Sequence, residues 1–208
     1  MPSLLHVSAS PRGARSESLP IARTFLETLG DIRPDTTIDT FDLWDGTLPS
    51  FGSRAAAAKM SVFAGQQPGG EEAAAWQAAE RTFRRFVAAD YYLFSVPMWN
   101  HGIPYILKQF IDVVSQPGMI FRFDPQKGYT GLLAGKRAVV VYTSAVYGPE
   151  RPAAFGTDFQ ALYFSGWLAW AGVTDISEVS FRPNLATADA VASRQAAHAA
   201  ARDLAKTF

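Results

Sequence analysis

Five times along the chain a short apolar run is followed by a longer stretch whose apolar residues return every three or four positions, and this alternation most constrains the fold. The first pair is "LLHV" at 4–7, then Leu19, Ala22, Phe25, Leu26 and Leu29 on one helical face. "TTIDTFDL" at 36–43 alternates and is rich in β-branched residues, which predicts a second strand. The stretch 44–70 is poorly patterned apart from an alanine-rich helical piece over 54–64. A helix is predicted over 71–88, with Glu71 and Glu72 in its first turn and a stripe of Ala75, Ala79, Phe83, Phe86 and Val87. "DYYLFSVPM" at 90–98 has the continuous apolar character of a strand buried on both faces. Pro104 suits the first turn of a helix carrying Leu107, Ile111 and Val114. "RAVVVYTS" at 137–144 predicts the clearest central strand, 156–171 a helix, and "VTDISEVSF" at 173–181 a fifth strand. A closing helix over 187–208 has Thr187 or Asp189 as its cap.

Strands alternating with helices require a parallel sheet covered on both faces and joined by right-handed crossovers. The expected class is α/β, a doubly wound five-stranded parallel sheet with helices on both faces, the count of a flavodoxin-like sheet. At 208 residues the chain has room for one sizeable core, so 1–208 is read as a single domain.

Composition narrows the function classes. Nineteen basic residues balance nineteen acidic ones, which argues against nucleic acid or a membrane surface as main partner, since both favour a concentrated positive field. Cysteine is absent, and with it go thiolate nucleophiles, CxxC redox motifs and thiolate metal sites. Redox chemistry would have to come from a bound cofactor. The first residues, "MPSLLHVSAS", lack the basic and apolar regions of a signal peptide, so the expected location is the cytoplasm.

In a doubly wound sheet, ligands bind beyond the carboxyl ends of the strands, where strand order reverses. Three loops leave such ends: 8–18, 97–104 and 143–152. The first runs into a helix start, whose free N–H groups and dipole attract an anion, and Ser10, Ser16 and Ser18 add hydroxyls for a phosphate. Serine is equally a helix cap, so Ser16 and Ser18 also have that plainer reading. Neither GxGxxG after the first strand nor GxxxxGK[ST] anywhere is present. The second loop, "PMWNHGIP", exposes Met, Trp, Asn and His between two prolines, a mixed surface suited to the edge of a flat heteroaromatic ring.

Taken together, "SASPRGARSES", "PMWNHGIPYILKQFIDVV" and "FRF", in this order and spacing, resemble the FMN-dependent NADH:azoreductases, which are similar to the NAD(P)H:quinone reductases of flavodoxin-like fold. The resemblance implies FMN as cofactor and NADH or NADPH as electron donor. It assigns Ser10, Ser16, Glu17 and Ser18 to the phosphate, Glu17 through its backbone N–H alone, and Pro97, Met98, Trp99, Asn100 and His101 to the isoalloxazine ring. In the third loop "TSAVYGPERP" keeps Ser144 but has Val146 and Tyr147 where family members carry a glycine pair; Ser144, Tyr147 and Gly148 are carried over as cofactor contacts.

The implied reaction is two-electron, ping-pong hydride transfer to a quinone or azo acceptor, with Asn100 and His101 as the catalytic candidates and Ser144 also donating toward the ring. The implied substrate pocket is walled by Phe121, Tyr129, Trp167 and Trp170 and lies at a homodimer interface. Aromatics such as Tyr163, Phe164, Trp167 and Trp170 at helical spacing are also what a core requires, and Tyr129 in 124–136, where Gly128 and Gly131 provide turns, is also an ordinary surface position. His6 is expected to pack at the first strand and His198 to face solvent. Two other classes share the fold: an FMN electron carrier, disfavoured by the zero net charge and the long excursions, and a non-catalytic flavin-fold protein.

Overall fold

The computed structural model describes residues 1–185 and 187–208. In chain order its elements are β1 (Ser3–Ser8), α1 (Ser18–Ile32), β2 (Thr37–Asp42), α2 (Ser53–Phe63), α3 (Gly70–Ala88), β3 (Tyr91–Pro97) and α4 (Tyr105–Val114). There follow β4 (Phe121–Asp124), β5 (Gly128–Gly131), β6 (Arg137–Thr143), α5 (Phe159–Ala171), β7 (Asp175–Phe181) and α6 (Ala190–Thr207). Five strands form one parallel sheet in the order β2-β1-β3-β6-β7. The order reverses between β1 and β3, so the crevice predicted for a ligand opens above those two strands.

The two faces of the sheet bury different sets of side chains, as the period of a strand dictates. Leu4, Leu93, Val139, Val141 and Val179 meet Ile21 and Phe25 of α1 and Ala197 and Ala201 of α6. Leu5, Val7, Phe94, Val140 and Tyr142 meet Phe86 of α3, Phe110 of α4, and Phe164 and Trp167 of α5. Strands β3 and β6 are covered on both sides, which is why their sequences run apolar without alternating. At the edge, β2 buries only Phe41, and its alternation is that of an edge strand.

Several expectations need correction. The excursion after α4 contains an antiparallel hairpin, β4 with β5, where only turns were predicted. Gly128, at φ +81°, does serve its turn, closed by Asp124 Oδ1 accepting from the N–H groups of Gln126 and Lys127. Gly131 serves something else: a Cβ there would lie 2.3 Å from the backbone nitrogen of Gly172, so the residue is small to let the hairpin touch the end of α5. Asp189 precedes α6, but its side chain makes no capping bond; the helix instead starts through Ser193 N–H to Asp189 O. His198 does not face solvent freely: it is half-buried, its Nδ1 2.7 Å from Thr24 Oγ1 of α1. His6 packs as expected, buried and 2.9 Å from Ser95 Oγ.

Candidate active site

The first loop is pinned at its start. Ala9 N–H donates to Ser95 O and Leu43 N–H to Ser8 O, each at 3.0 Å, which binds the end of β1 to its neighbours on both sides. A short 3-10 turn (Gly13–Arg15) then delivers the chain to α1. Ser10, Ser16 and Ser18 are all buried there. Ser16 Oγ accepts from Leu19 N–H at 3.2 Å and lies 3.2 Å from Ser18 Oγ, so Ser16 caps the helix while both hydroxyls stay at its start. The Glu17 carboxylate is engaged by Arg194 of α6 at 3.0 and 3.1 Å.

The second loop is a two-residue hairpin turn. Trp99 and Gly102 exchange both backbone hydrogen bonds at 2.9 Å, and between them Asn100 and His101 have φ of +48° and +68°. Two successive left-handed residues are what a type I′ turn demands, and Asn and His tolerate that region better than most. His101 is fastened to the segment before α5: its Nδ1 accepts from Thr157 N–H and its carbonyl from Phe159 N–H, both at 3.0 Å. With Nδ1 accepting, a neutral ring carries its proton on Nε2. Trp99 packs against Trp44 and Tyr105, with ring centroids 5.8 and 6.1 Å away.

Trp44 is a residue that sequence reasoning passed over. Its Nε1 donates to Ala9 O at 3.1 Å, so it bridges the first loop to the second. The available signal was its place directly after β2, on the same sheet edge, inside a stretch set aside as unpatterned.

The third loop leaves β6 beside the second, through Met98 N–H to Thr143 O at 2.7 Å. Ser144 is buried and its Oγ donates to the carbonyl of Tyr147. The Tyr147 ring lies 5.6 Å from the guanidinium of Arg182, which also covers Tyr142 and pairs with Asp158 at 2.7 Å. Asp158 in turn caps α5, accepting from Gln160 and Ala161 N–H. Gly148 faces Pro183, whose Cδ would be 2.7 Å from a Cβ there, so its smallness answers to packing behind the loop. Met98, Asn100, His101, Ser144, Val146, Tyr147 and Phe155 line a groove of about 260 Å³; Phe155 was not anticipated.

Across the edge, then, a helix start with three buried serines sits above β1, and a groove of mixed donors and acceptors sits above β3 and β6. Two strand spacings, about 10 Å, separate β1 from β6. The site can hold an elongated ligand with an anionic end and a flat polar-edged ring.

The predicted pocket aromatics do not join this groove within one chain. Trp167 is a core residue, 6% exposed, with Nε1 donating to Ser115 Oγ at 3.0 Å and its ring against Phe86 and Phe164. Phe121, Tyr129 and Trp170 do meet one another, with centroids 4.8 to 5.6 Å apart. They meet at the wrong end: α5 runs from His101 at the carboxyl edge to the segment before β6, so Trp170 is about 16 Å of helix away from the groove. Beside the groove lies another apolar surface instead, where Ile103, Phe159, Leu162 and Tyr163 line a cavity of about 530 Å³. Leu162 is 73% exposed and Phe159 57%.

A family model described as flavodoxin-like fold matches residues 2–205. An FMN-dependent NADH:quinone oxidoreductase of Ruegeria pomeroyi is 42% identical over 200 residues, covering 96% of this chain and 98% of that protein. FMN-dependent NADH:quinone oxidoreductase 2 of Pseudomonas syringae pv. tomato is 42% identical over 203 residues, covering 97% of each. The crystal structure of an azoreductase from Bacillus anthracis superposes with a TM-score of 0.91 at 26% identity over the whole of both chains.

Proposed function

The chain belongs to this family of flavodoxin-like fold, and from that membership we propose that it is an FMN-dependent NADH:quinone oxidoreductase that also reduces azo compounds. The observation that carries the reading is the pairing, on one sheet edge, of a serine-lined helix start with the left-handed Asn100–His101 turn.

The residues present fit FMN. The buried Ser10, Ser16 and Ser18, together with the half-buried Glu17 through its N–H, would form a donor set for a phosphate. Met98, Asn100, His101, Ser144 and Tyr147 line the groove that would take the ring, Pro97, Trp99 and Gly148 are not among its lining residues, and Trp44 ties the first loop to the second. Held by these residues, FMN would supply two-electron hydride transfer between NADH and a quinone or azo acceptor. The left-handed turn sets the backbone of Asn100 and His101 beside the groove, and Thr157 N–H holds the His101 ring. His101, held by Thr157, and Asn100, placed by the Trp99–Gly102 pair, would offer donors to negative charge on the ring. Asn100 and His101 are the proposed catalytic pair on this ground. Ser144 does not donate toward the ring as expected: its hydroxyl proton goes to Tyr147 O, its N–H to Phe181 O, and its carbonyl accepts from Asn184 N–H, so the hydroxyl lone pairs are what it would offer.

A homodimer belongs to the same proposal. Phe159 and Leu162 expose a continuous apolar surface beside the groove, and a second copy seated there is what would bring Phe121, Tyr129 and Trp170 near a groove they cannot reach in their own chain. Residues 1–208 are taken to act as one domain, in the cytoplasm. Among the described residues no helix is long and apolar enough to cross a membrane.

The test is a spectrum. The purified chain is mixed with FMN, NADH is added without oxygen, and menadione or methyl red follows. Loss of the visible flavin band with NADH and its return with the acceptor are expected. Retained FMN that NADH does not bleach would indicate a carrier, and failure to retain FMN would overturn the reading.

A further inference from the structure

Glu17 stands between Ser16 and Ser18 at the residue that opens α1, where the proposed function places a phosphate dianion. A carboxylate at that point is an electrostatic liability, because it repels the group that the helix start attracts. The chain answers with an arginine from the far end of the sequence. Arg194 of α6 grips both Glu17 oxygens, Nε to Oε2 at 3.1 Å and Nη2 to Oε1 at 3.0 Å. Its guanidinium lies 5.2 Å from the ring centre of Phe181, which holds it in place.

We propose that Arg194 is a positioning residue for cofactor binding: it draws the Glu17 carboxylate out of the phosphate site and cancels its charge, leaving the Glu17 N–H free to serve that site. The inference rests on the reading of the first loop as the phosphate site. The neighbouring charges are consistent with it. Burial and the nearby Arg202 and Arg194 lower the pKa of His198, against the opposing pull of Glu17. Arg12 and Arg15 lie exposed on the 3-10 turn of the same loop. Two of the three nitrogens of Arg194 are engaged by Glu17, and the proposed action on a phosphate is through that carboxylate.

The test separates phosphate from ring. FMN and riboflavin are each titrated, by quenching of flavin fluorescence, into the flavin-free full chain and into its Arg194→Gln, Glu17→Gln and double variants; glutamine at 194 keeps part of the stem that covers Phe181. Arg194→Gln is expected to weaken FMN about five- to tenfold, less at high salt, and to leave riboflavin within about twofold. The double variant is expected to return to within about twofold of the parent, because removing the carboxylate removes the need for its partner. Equal loss of FMN and riboflavin in Arg194→Gln would make the residue structural and overturn the proposal. So would a double variant as weak as the single one, which would put Arg194 on the phosphate itself. If the parent chain bound FMN no tighter than riboflavin, the phosphate reading itself would fall, an outcome distinct from the other two.

Discussion

His6 lies in the middle of β1, between two neighbouring strands, with Ser95 as its hydrogen-bond partner. Burial lowers its pKa from 6.5 to about 4. The folded chain therefore resists a proton that the unfolded chain accepts, and stability is complete above 6.5 and drains away as pH falls toward the folded value. A shift of this size corresponds to about 3 kcal/mol. Urea unfolding followed across that window should show a falling midpoint, and His6→Gln, which keeps a polar group but does not titrate, should flatten the curve. Asn100 tests strain in the same direct way. Asn100→Val places a β-branched residue at φ +48° and should cost about 1–2 kcal/mol. Asn100→Gly should keep stability while weakening FMN, because it keeps the turn and loses the amide. If both variants were equally stable, the left-handed turn would not be a constraint.

Hairpin β4–β5 is attached to the body of the fold at its second strand, where Gly131 meets Ala171 and Gly172 at the end of α5. No side chain fits there: a Cβ would fall 2.3 to 2.6 Å from backbone atoms that cannot rotate aside. Gly131→Ala should lower stability by about 2–3 kcal/mol, read as a drop in thermal midpoint, and should loosen the hairpin that presents Phe121 and Tyr129. Helix α5 is held at its other end by Asp158, which caps it and binds Arg182 from the end of β7. That pair ties the third loop, through Tyr147 on Arg182, to the segment holding His101. Val146 and Tyr147 of this loop line the groove, with Tyr147 supported by the Arg182 guanidinium and Ser144 beside them.

At the scale of the whole molecule, the apolar surface beside the groove sets an expectation about assembly. Leu162 is 73% exposed, a wasteful position for leucine on a solitary chain. Leu162→Asp should shift sedimentation from dimer to monomer, reduce quinone reduction at least about tenfold by opening the pocket, and leave FMN affinity largely unchanged. A dimer that survived this change, with full activity, would place the interface elsewhere.

The sequence by itself determined the α/β class, the five parallel strands and the three loops that leave the carboxyl ends of β1, β3 and β6. Each of these is written in local periodicity: β3 and β6 are apolar throughout because both faces are covered, and "PMWNHGIP" is odd enough to stand out from a connector. It also carried His6 to the strand interior. What only the tertiary structure decided depends on residues far apart in the chain. Trp44 meets the first loop because its indole reaches Ala9, and Arg194 reaches Glu17 because α6 lies against α1. Trp167 and Trp170 read alike in sequence, three positions apart, yet one is core and the other joins the hairpin cluster. Helical spacing places a side chain on a face, and only the packing of that face against a particular neighbour decides whether it meets solvent, core or ligand.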